Sequence, residues 1–297
     1  MEEKSSRMRK VDTSVKKTSK RLMNLVLTLV LVGGLTAFGI SEYNNYRSRL
    51  DYEAAVEVAL STREETEPTE DPEVLAWEEA QRIRQEMLDK AAAVLESDPN
   101  IRSLLEIDLE ALREVNEDVI GWIRIPDTKI DYPLLQWTDN QFYLTHTWKQ
   151  VGNGSGSIFM ECNNKSDFSD FNTIIYGHNM RNKSMFGSLQ DYRNPKHVES
   201  HPYIYIVNDT GILRYDIFAM HRAGIDSIMY GLKIDSEQKK TEFIRFAKDY
   251  SQIDTDIEPT PEDKILTLST CSGAGYGTRW IVQGVWNADA SYILPNF

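Results

Sequence analysis

Cysteine is scarce in this chain. The 297 residues hold two, Cys162 and Cys271, too few for a disulfide-built scaffold or a cysteine-rich zinc module. Positive charge is also short: 33 Lys/Arg stand against 46 Asp/Glu, a formal net charge of −13. That balance argues against general nucleic-acid binding. No internal repeat of solenoid or propeller length is present. What remains is a chain about two average domains long, with 41% hydrophobic and 27% charged residues. That composition fits a globular protein and not a wholly disordered one.

The charge is unevenly spread. Residues 1–21 hold eight Lys/Arg against three acids, net +5, which leaves −18 on residues 22–297. One long apolar run follows the basic tail, Leu22 to Ile40, 19 residues without a charge. As a helix it spans about 29 Å, close to the hydrocarbon thickness of a bilayer. A cleaved signal peptide needs a shorter apolar core and a small-residue cleavage site, and nothing at Thr36–Glu42 forms one. The expectation is an uncleaved signal anchor, with the basic tail in the cytoplasm and the rest of the chain outside the cell.

Residues 41–73 are polar and acidic, and Thr62 to Glu73 carries two prolines and no large apolar residue, the composition of a solvated linker. Ala76, Ala80, Ile83, Met87, Ala91 and Val94 then recur at helical spacing. Asp98-Pro99 marks a stop and a new start, with Asp as N-cap and Pro in the first turn. Leu105, Leu109 and Leu112 predict a short amphipathic helix. From residue 119 the period shifts towards two. Strands are expected at 119–125, 130–135, 157–161, 173–177, 203–207, 212–221, 264–270 and 279–286, with a hairpin turn at Asn208–Gly211. Eight strands in this length suggest a barrel or sandwich. Ser184 to Tyr192 reads as a short capped helix. Asp235 to Tyr250 reads as a longer one, with Asp235 and Gln238 spaced as a capping box.

Cys271 ends an apolar-alternating strand and meets a Gly-rich stretch, Ser272 to Gly277. A side chain at the mouth of a strand is held by the sheet yet within reach of solvent, a placement that suits a nucleophile. Taken on the strand alone, a small buried hydrophobe is an equal reading. His178 ends another strand, after Gly177. The other histidines, at 146, 197, 201 and 221, lack that context and read as structural. Arg279 opens the last long strand, eight residues after Cys271. A fixed guanidinium near a thiol stabilises an oxyanion or holds a carbonyl, although an isolated strand-end arginine usually does neither. Cys162 has no motif around it and reads as structural.

Taken together, these residues resemble the sortase family. Thr267-Leu268-Ser269-Thr270-Cys271, followed by Arg279, is similar to the sortase TLxTC…R signature. Asn172 to Met180 resembles the His motif of class B, as does the Ser184-Met185-Phe186 that follows. Gly121 to Ile125, Ile130-Asp131-Tyr132-Pro133 and Asp139-Asn140 match its front half, and the helix at 235–250 is similar to the one that marks this class. The resemblance covers roughly residues 105–290, and several independent motifs occur in order.

The resemblance implies a mainly β fold: a sortase-like eight-stranded β-barrel with N-terminal helices and one long helix before the Cys strand. The domains it implies are a cytoplasmic tail (1–21), a transmembrane signal anchor (22–40), a linker and helical stalk (41–104) and a catalytic domain (105–297). It implies a cysteine transpeptidase on the cell membrane, single-pass, with an extracellular catalytic domain. Its partners would be secreted proteins bearing a C-terminal sorting motif and an amine of a peptidoglycan precursor. Cys271 would be the nucleophile, His178 the proton donor and Arg279 the stabiliser of oxyanion or bound motif. Asn140 and Tyr176 are candidate substrate contacts, and a buried polar group satisfying a loop is an equal reading of each; Ser269 and Thr270, which flank the nucleophile, are further candidates, Thr270 being otherwise a common strand residue. No cofactor is implied. The acidic stretches at 62–73 and 254–263 lack the ligand spacing and Gly of a calcium loop, so no metal is expected. The alternatives are a pilus-assembly sortase using a pilin lysine, a Cys–His peptide hydrolase, and an inactive membrane-tethered binding protein.

Overall fold

A computed structural model describes residues 72–271 and 277–293. Apart from 72–75, these fall in one compact unit, residues 76–297. The expected membrane span at 22–40 lies outside the described residues. Among the described residues no helix is long and apolar enough to cross a bilayer.

Among the described residues there are nine strands: β1 (Val119–Arg124), β2 (Asp131–Leu135), β3 (Ile158–Met160), β4 (Asn172–His178), β5 (Tyr203–Asn208), β6 (Gly211–Gly224), β7 (Ile265–Cys271), β8 (Thr278–Trp286) and β9 (Tyr292–Ile293). Their order is β5-β1-β2-β3-β4-β7-β8-β6-β9, and β5 also pairs with β6. That last pairing closes eight strands into a barrel and leaves β9 as an addition to β6. The expected barrel is therefore present, and the eight expected strands are its staves. Closure removes the exposed sheet edges that an open sheet would carry.

Strand alternation separates two cores. Ile175, Leu266, Leu268 and Val282 belong to a cluster that includes Ile123, Leu134, Ile158, Ile206 and Met220 and fills the barrel. The intervening residues Ile265, Ile281 and Val285 point outward and pack beneath a helix at Glu237–Asp249. β4 and β7 run parallel in the middle of the sheet and are buried on both faces.

Among the described residues five α-helices accompany the barrel: α1 (Pro72–Ser97), α2 (Pro99–Leu104), α3 (Leu109–Arg113), α4 (Pro195–Ser200) and α5 (Glu237–Asp249). The last turns of α1 and all of α2 lay Val94, Ile101 and Leu104 on Tyr205, Val207 and Ile212. Asp98 caps α2 through Asn100 N at 3.0 Å, and its other oxygen accepts the buried Tyr205 hydroxyl at 2.5 Å. Asp98→Ala therefore removes a cap and strands a buried hydroxyl, an expected cost of about 2–3 kcal/mol in urea unfolding. A cost under about 0.5 kcal/mol, the usual size for a surface change, would contradict this account.

Two helix starts differ from expectation. The cap of α5 is Ser236, whose hydroxyl accepts from Lys239 N, while Asp235 is drawn aside into an ion pair with Lys239 Nζ at 2.7 Å. The segment from Ser184 is a turn followed by a 3₁₀ helix at Gly187–Arg193, because Lys183 and Met185 take φ of 66° and 50°. Residues with such φ cannot open a right-handed helix. The Asn208–Gly211 hairpin is as expected. Gly211 has φ of 136°, and a Cβ there would lie 2.1 Å from Tyr292 O, so β9 lies against it only because it is glycine.

A polar chain crosses the outer face of four strands beneath α5. His221 (β6) donates to Gln283 Oε1 (β8) at 3.1 Å, Gln283 donates to Thr267 (β7) at 3.1 Å, and Thr267 donates to Asn172 Oδ1 (β4) at 2.7 Å. Asn172 then donates to Met229 O at 3.0 Å. Burial pushes the His221 imidazole below its usual 6.5, and burial beside His201 does the same to His197. The unfolded chain therefore binds more protons once pH falls below about 6.5, and stability falls with it until the depressed folded values are reached. Each group contributes at most about 1.4 kcal/mol per pH unit in that window. Urea unfolding at pH 7.5, 6.5 and 5.5 should show the loss, with a shallower slope in His221→Gln. An unchanged slope in that variant would contradict the assignment.

Candidate active site

The parallel β4–β7 pair runs in unbroken register from Asn172↔Ile265 to His178↔Cys271. Two residues 93 positions apart thus become direct neighbours at the same strand end. β7 and β8 pair antiparallel from Ile265↔Val285 to Ser269↔Ile281. Carried two residues further, this register sets position 279 across from position 271. Alternation places His178 and Arg279 on the outer face, since Gly177 and Trp280 beside them turn to the barrel interior. Cys271 is described through its backbone.

His178 is half-buried and fixed at two points. Its backbone carbonyl accepts from Phe186 N at 2.9 Å, and its Nε2 lies 2.6 Å from Leu144 O. A carbonyl only accepts, so Nε2 carries the proton of that bond. Nδ1 is then the nitrogen left to exchange a proton with a reacting group. Gly177 beside it has no room for a side chain: a Cβ would lie 2.5 Å from Ile158 Cδ1 and 2.7 Å from the buried Phe186 ring. Gly177→Ala is expected to cost about 1–3 kcal/mol by overpacking and to displace His178. Wild-type stability and wild-type turnover together in this variant would contradict the close packing.

Arg279 is half-buried on β8, with Nη1 3.4 Å from Thr278 O. Ser269 is fully buried, and its hydroxyl meets the Tyr230 hydroxyl at 2.8 Å. Thr270 faces inward, and its hydroxyl accepts from Trp280 N at 3.2 Å. Both hydroxyls are thus engaged within the fold.

Asn140 and Tyr176 converge on a residue that the motif reading did not single out. Glu161, just past β3, is 5% exposed. Its Oε2 accepts from Asn140 Nδ2 at 2.5 Å and from the Tyr176 hydroxyl at 2.9 Å, and its Oε1 accepts from Asn163 Nδ2 at 2.8 Å. Asn140 Oδ1 in turn accepts from Cys162 N at 2.8 Å. Burial opposes the Glu161 charge, but the bonds from Asn163 and Tyr176 outweigh it and hold the carboxyl below its usual range. The only sequence trace of this hub is a glutamate at a strand end. Its partners lie 21 and 15 residues away in the chain, so local pattern did not reveal it.

Cys162 is free and half-buried, with its sulfur 3.4 Å from Glu161 Oε1. Burial and the adjoining carboxylate push its thiol pKa up, the opposite of what a nucleophilic thiolate needs.

A barrel with a Cys–His pair on adjacent parallel strands and an Arg on the next strand defines a class. The sortase-domain profile matches residues 123–286. Sortase B of Listeria monocytogenes is 35% identical over 192 residues, 63% of this chain and 77% of that protein. Sortase B of Staphylococcus aureus is 32% identical over 165 residues, 56% of this chain and 68% of that protein. A solved Staphylococcus aureus sortase B–substrate complex aligns with a TM-score of 0.59 at 26% identity, over 72% of this chain and 98% of that one. The chain belongs to the sortase family of cysteine transpeptidases. Within the family it is a class B sortase.

Proposed function

We propose that this sortase acts at the outer face of the cell membrane, tethered by residues 22–40 with residues 1–21 in the cytoplasm. Its substrates are secreted proteins with a C-terminal sorting motif, and its acceptor is an amine of a peptidoglycan precursor. The observation that carries the reading is the His178↔Cys271 register with Arg279 on the next strand.

The Cys271 thiolate attacks the motif's scissile carbonyl, and a C–S bond forms as the carbonyl oxygen takes up negative charge. Arg279 stabilises that oxyanion. The C–N bond then breaks, and His178 gives the proton on Nδ1 to the leaving amine. The thioester keeps the acyl energy, so no nucleotide is needed. An incoming amine attacks the thioester carbonyl and loses its proton to His178, and the new amide forms as the Cys271 thiolate leaves. Because one group reacts without its proton and the other with it, a bell-shaped pH profile is expected.

The test is to incubate the enzyme with peptides of LPxTG, NPxTN and SPxTG type, with and without diaminopimelate or oligoglycine, and to score products by mass spectrometry. Ligated product supports the reading. Cleavage that no amine diverts would favour a hydrolase, and no reaction with any motif would count against the reading.

A further inference from the structure

Two routes lead from Glu161 towards His178. The first runs along β4. Tyr176 lies two residues before His178 on the same outer face, and its hydroxyl donates to Glu161 Oε2 at 2.9 Å. The second runs through the segment after β2. Asn140 donates to the same oxygen at 2.5 Å. Directly after it, Gln141 opens the 3₁₀ turn Phe142–Leu144. That turn presents the Leu144 carbonyl, 2.6 Å from His178 Nε2. One carboxylate oxygen therefore ties the His178 strand to the segment that holds the His178 ring.

We propose that Glu161 is a positioning residue for His178, fixing the distance between β4 and the Asn140–Leu144 segment so that the Leu144 carbonyl keeps the proton on Nε2 and leaves Nδ1 for the reaction. The inference rests on the reading of His178 as the proton-transfer group. Its chemistry is that of an anion among donors. Asn140 Nδ2, the Tyr176 hydroxyl, Asn163 N, Asn163 Nδ2 and the Cys162 thiol all point hydrogens at the two oxygens. A carboxylate accepts all five, whereas a carboxamide of the same shape offers one acceptor and turns an NH₂ against the remaining donors. Buried donors left unmatched must move or lose their bonds.

The far end of the segment has its own anchor, which sets how much Glu161 has to do. The Tyr143 hydroxyl bonds Asp118 and accepts from Asn116 Nδ2, and Tyr143 O accepts from Ser157 N at 2.9 Å. Loss of Glu161 should therefore tilt the segment about that anchor and not release it. A tilt that lengthens the Leu144–His178 bond frees the Nε2 proton and lets the neutral ring populate both tautomers.

The experiment compares wild type, Glu161→Gln and Glu161→Asp in the full chain. Nitrogen NMR of imidazole-labelled protein, without substrate, reads the neutral tautomer of His178, and His178→Gln assigns its signals. Wild type is expected to be Nε2–H. Glu161→Gln is expected to show a tautomer mixture and a kcat about tenfold to a hundredfold lower. Glu161→Asp keeps the charge at a shorter reach and is expected to fall between the two. A lower unfolding midpoint in Glu161→Gln with wild-type tautomer and wild-type kcat would overturn the proposal and leave Glu161 a stabilising residue only. If Glu161→Gln does not fold, the Glu161→Asp tautomer decides: a partial mixture supports the proposal and an unchanged Nε2–H form overturns it. The tautomer is read on unreacted protein, so a wild type that ligates no peptide would count against the transpeptidase assignment and leave this test intact.

Discussion

Cys271→Ala is expected to abolish ligation, with a loss of at least about 10⁴-fold, the scale for removing a covalent nucleophile. β7 carries residue 271 to the strand end where β4 delivers His178, and a covalent route has no substitute there. Cys162 is no replacement, because burial and the Glu161 carboxylate raise its thiol pKa. Cys162→Ala is accordingly expected to keep turnover within about threefold of wild type, since it removes no reacting group. Ligation that survives Cys271→Ala but not Cys162→Ala would reverse the assignment. Circular dichroism of both variants separates loss of chemistry from loss of fold.

Arg279→Ala carries the second-largest expected effect, about 10²–10³-fold in kcat, the range measured when a single oxyanion donor is removed. Its place follows from β8, which pairs with β7 as far as Ser269↔Ile281, two residues from each of positions 271 and 279. Arg279→Lys keeps the charge but loses the planar fork of donors, and is expected to recover part of the rate without reaching wild type. If the role is transition-state stabilisation, KM changes far less than kcat. A kcat within about threefold of wild type in Arg279→Ala would contradict that role, given the magnitude expected of such a donor.

Much of this architecture was legible because its signals are local. The alternation at 265–270 marked β7, and the same period marked the seven other barrel strands to within a few residues at their ends. Asp98-Pro99 announced the break between α1 and α2, and Asp98 is the cap in the structure. β9 escaped notice because two residues cannot display a period. The start of α5 was displaced by one position because two adjacent residues, Asp235 and Ser236, both suit an N-cap. The choice fell to Ser236 once Lys239 drew Asp235 into an ion pair. The 3₁₀ helix at Gly187–Arg193 was hidden by two left-handed residues that no propensity scale favours.

The site divides along the same line. Cys271, His178 and Arg279 stood at strand ends in family motifs and were readable as candidates. Their adjacency depends on a parallel pairing between segments 93 residues apart, which no window reveals. The shared partner of Asn140 and Tyr176 was less accessible still. Glu161-Cys162-Asn163-Asn164 reads as a polar turn, and only the closed barrel brings its carboxylate under both residues. His221, read from the sequence as structural, is fully buried and starts the polar chain beneath α5.

The most direct test of the central claim is to trap the acyl-enzyme. The full chain is mixed with a reactive sorting-motif peptide without an amine acceptor, quenched in acid and weighed intact, and the adduct is then mapped by proteolysis. The account predicts an added mass equal to the acyl half of the peptide, carried on Cys271 and discharged when an amine is supplied. An adduct on Cys162, or peptide cleavage with no adduct on Cys271 under any quench, would contradict it.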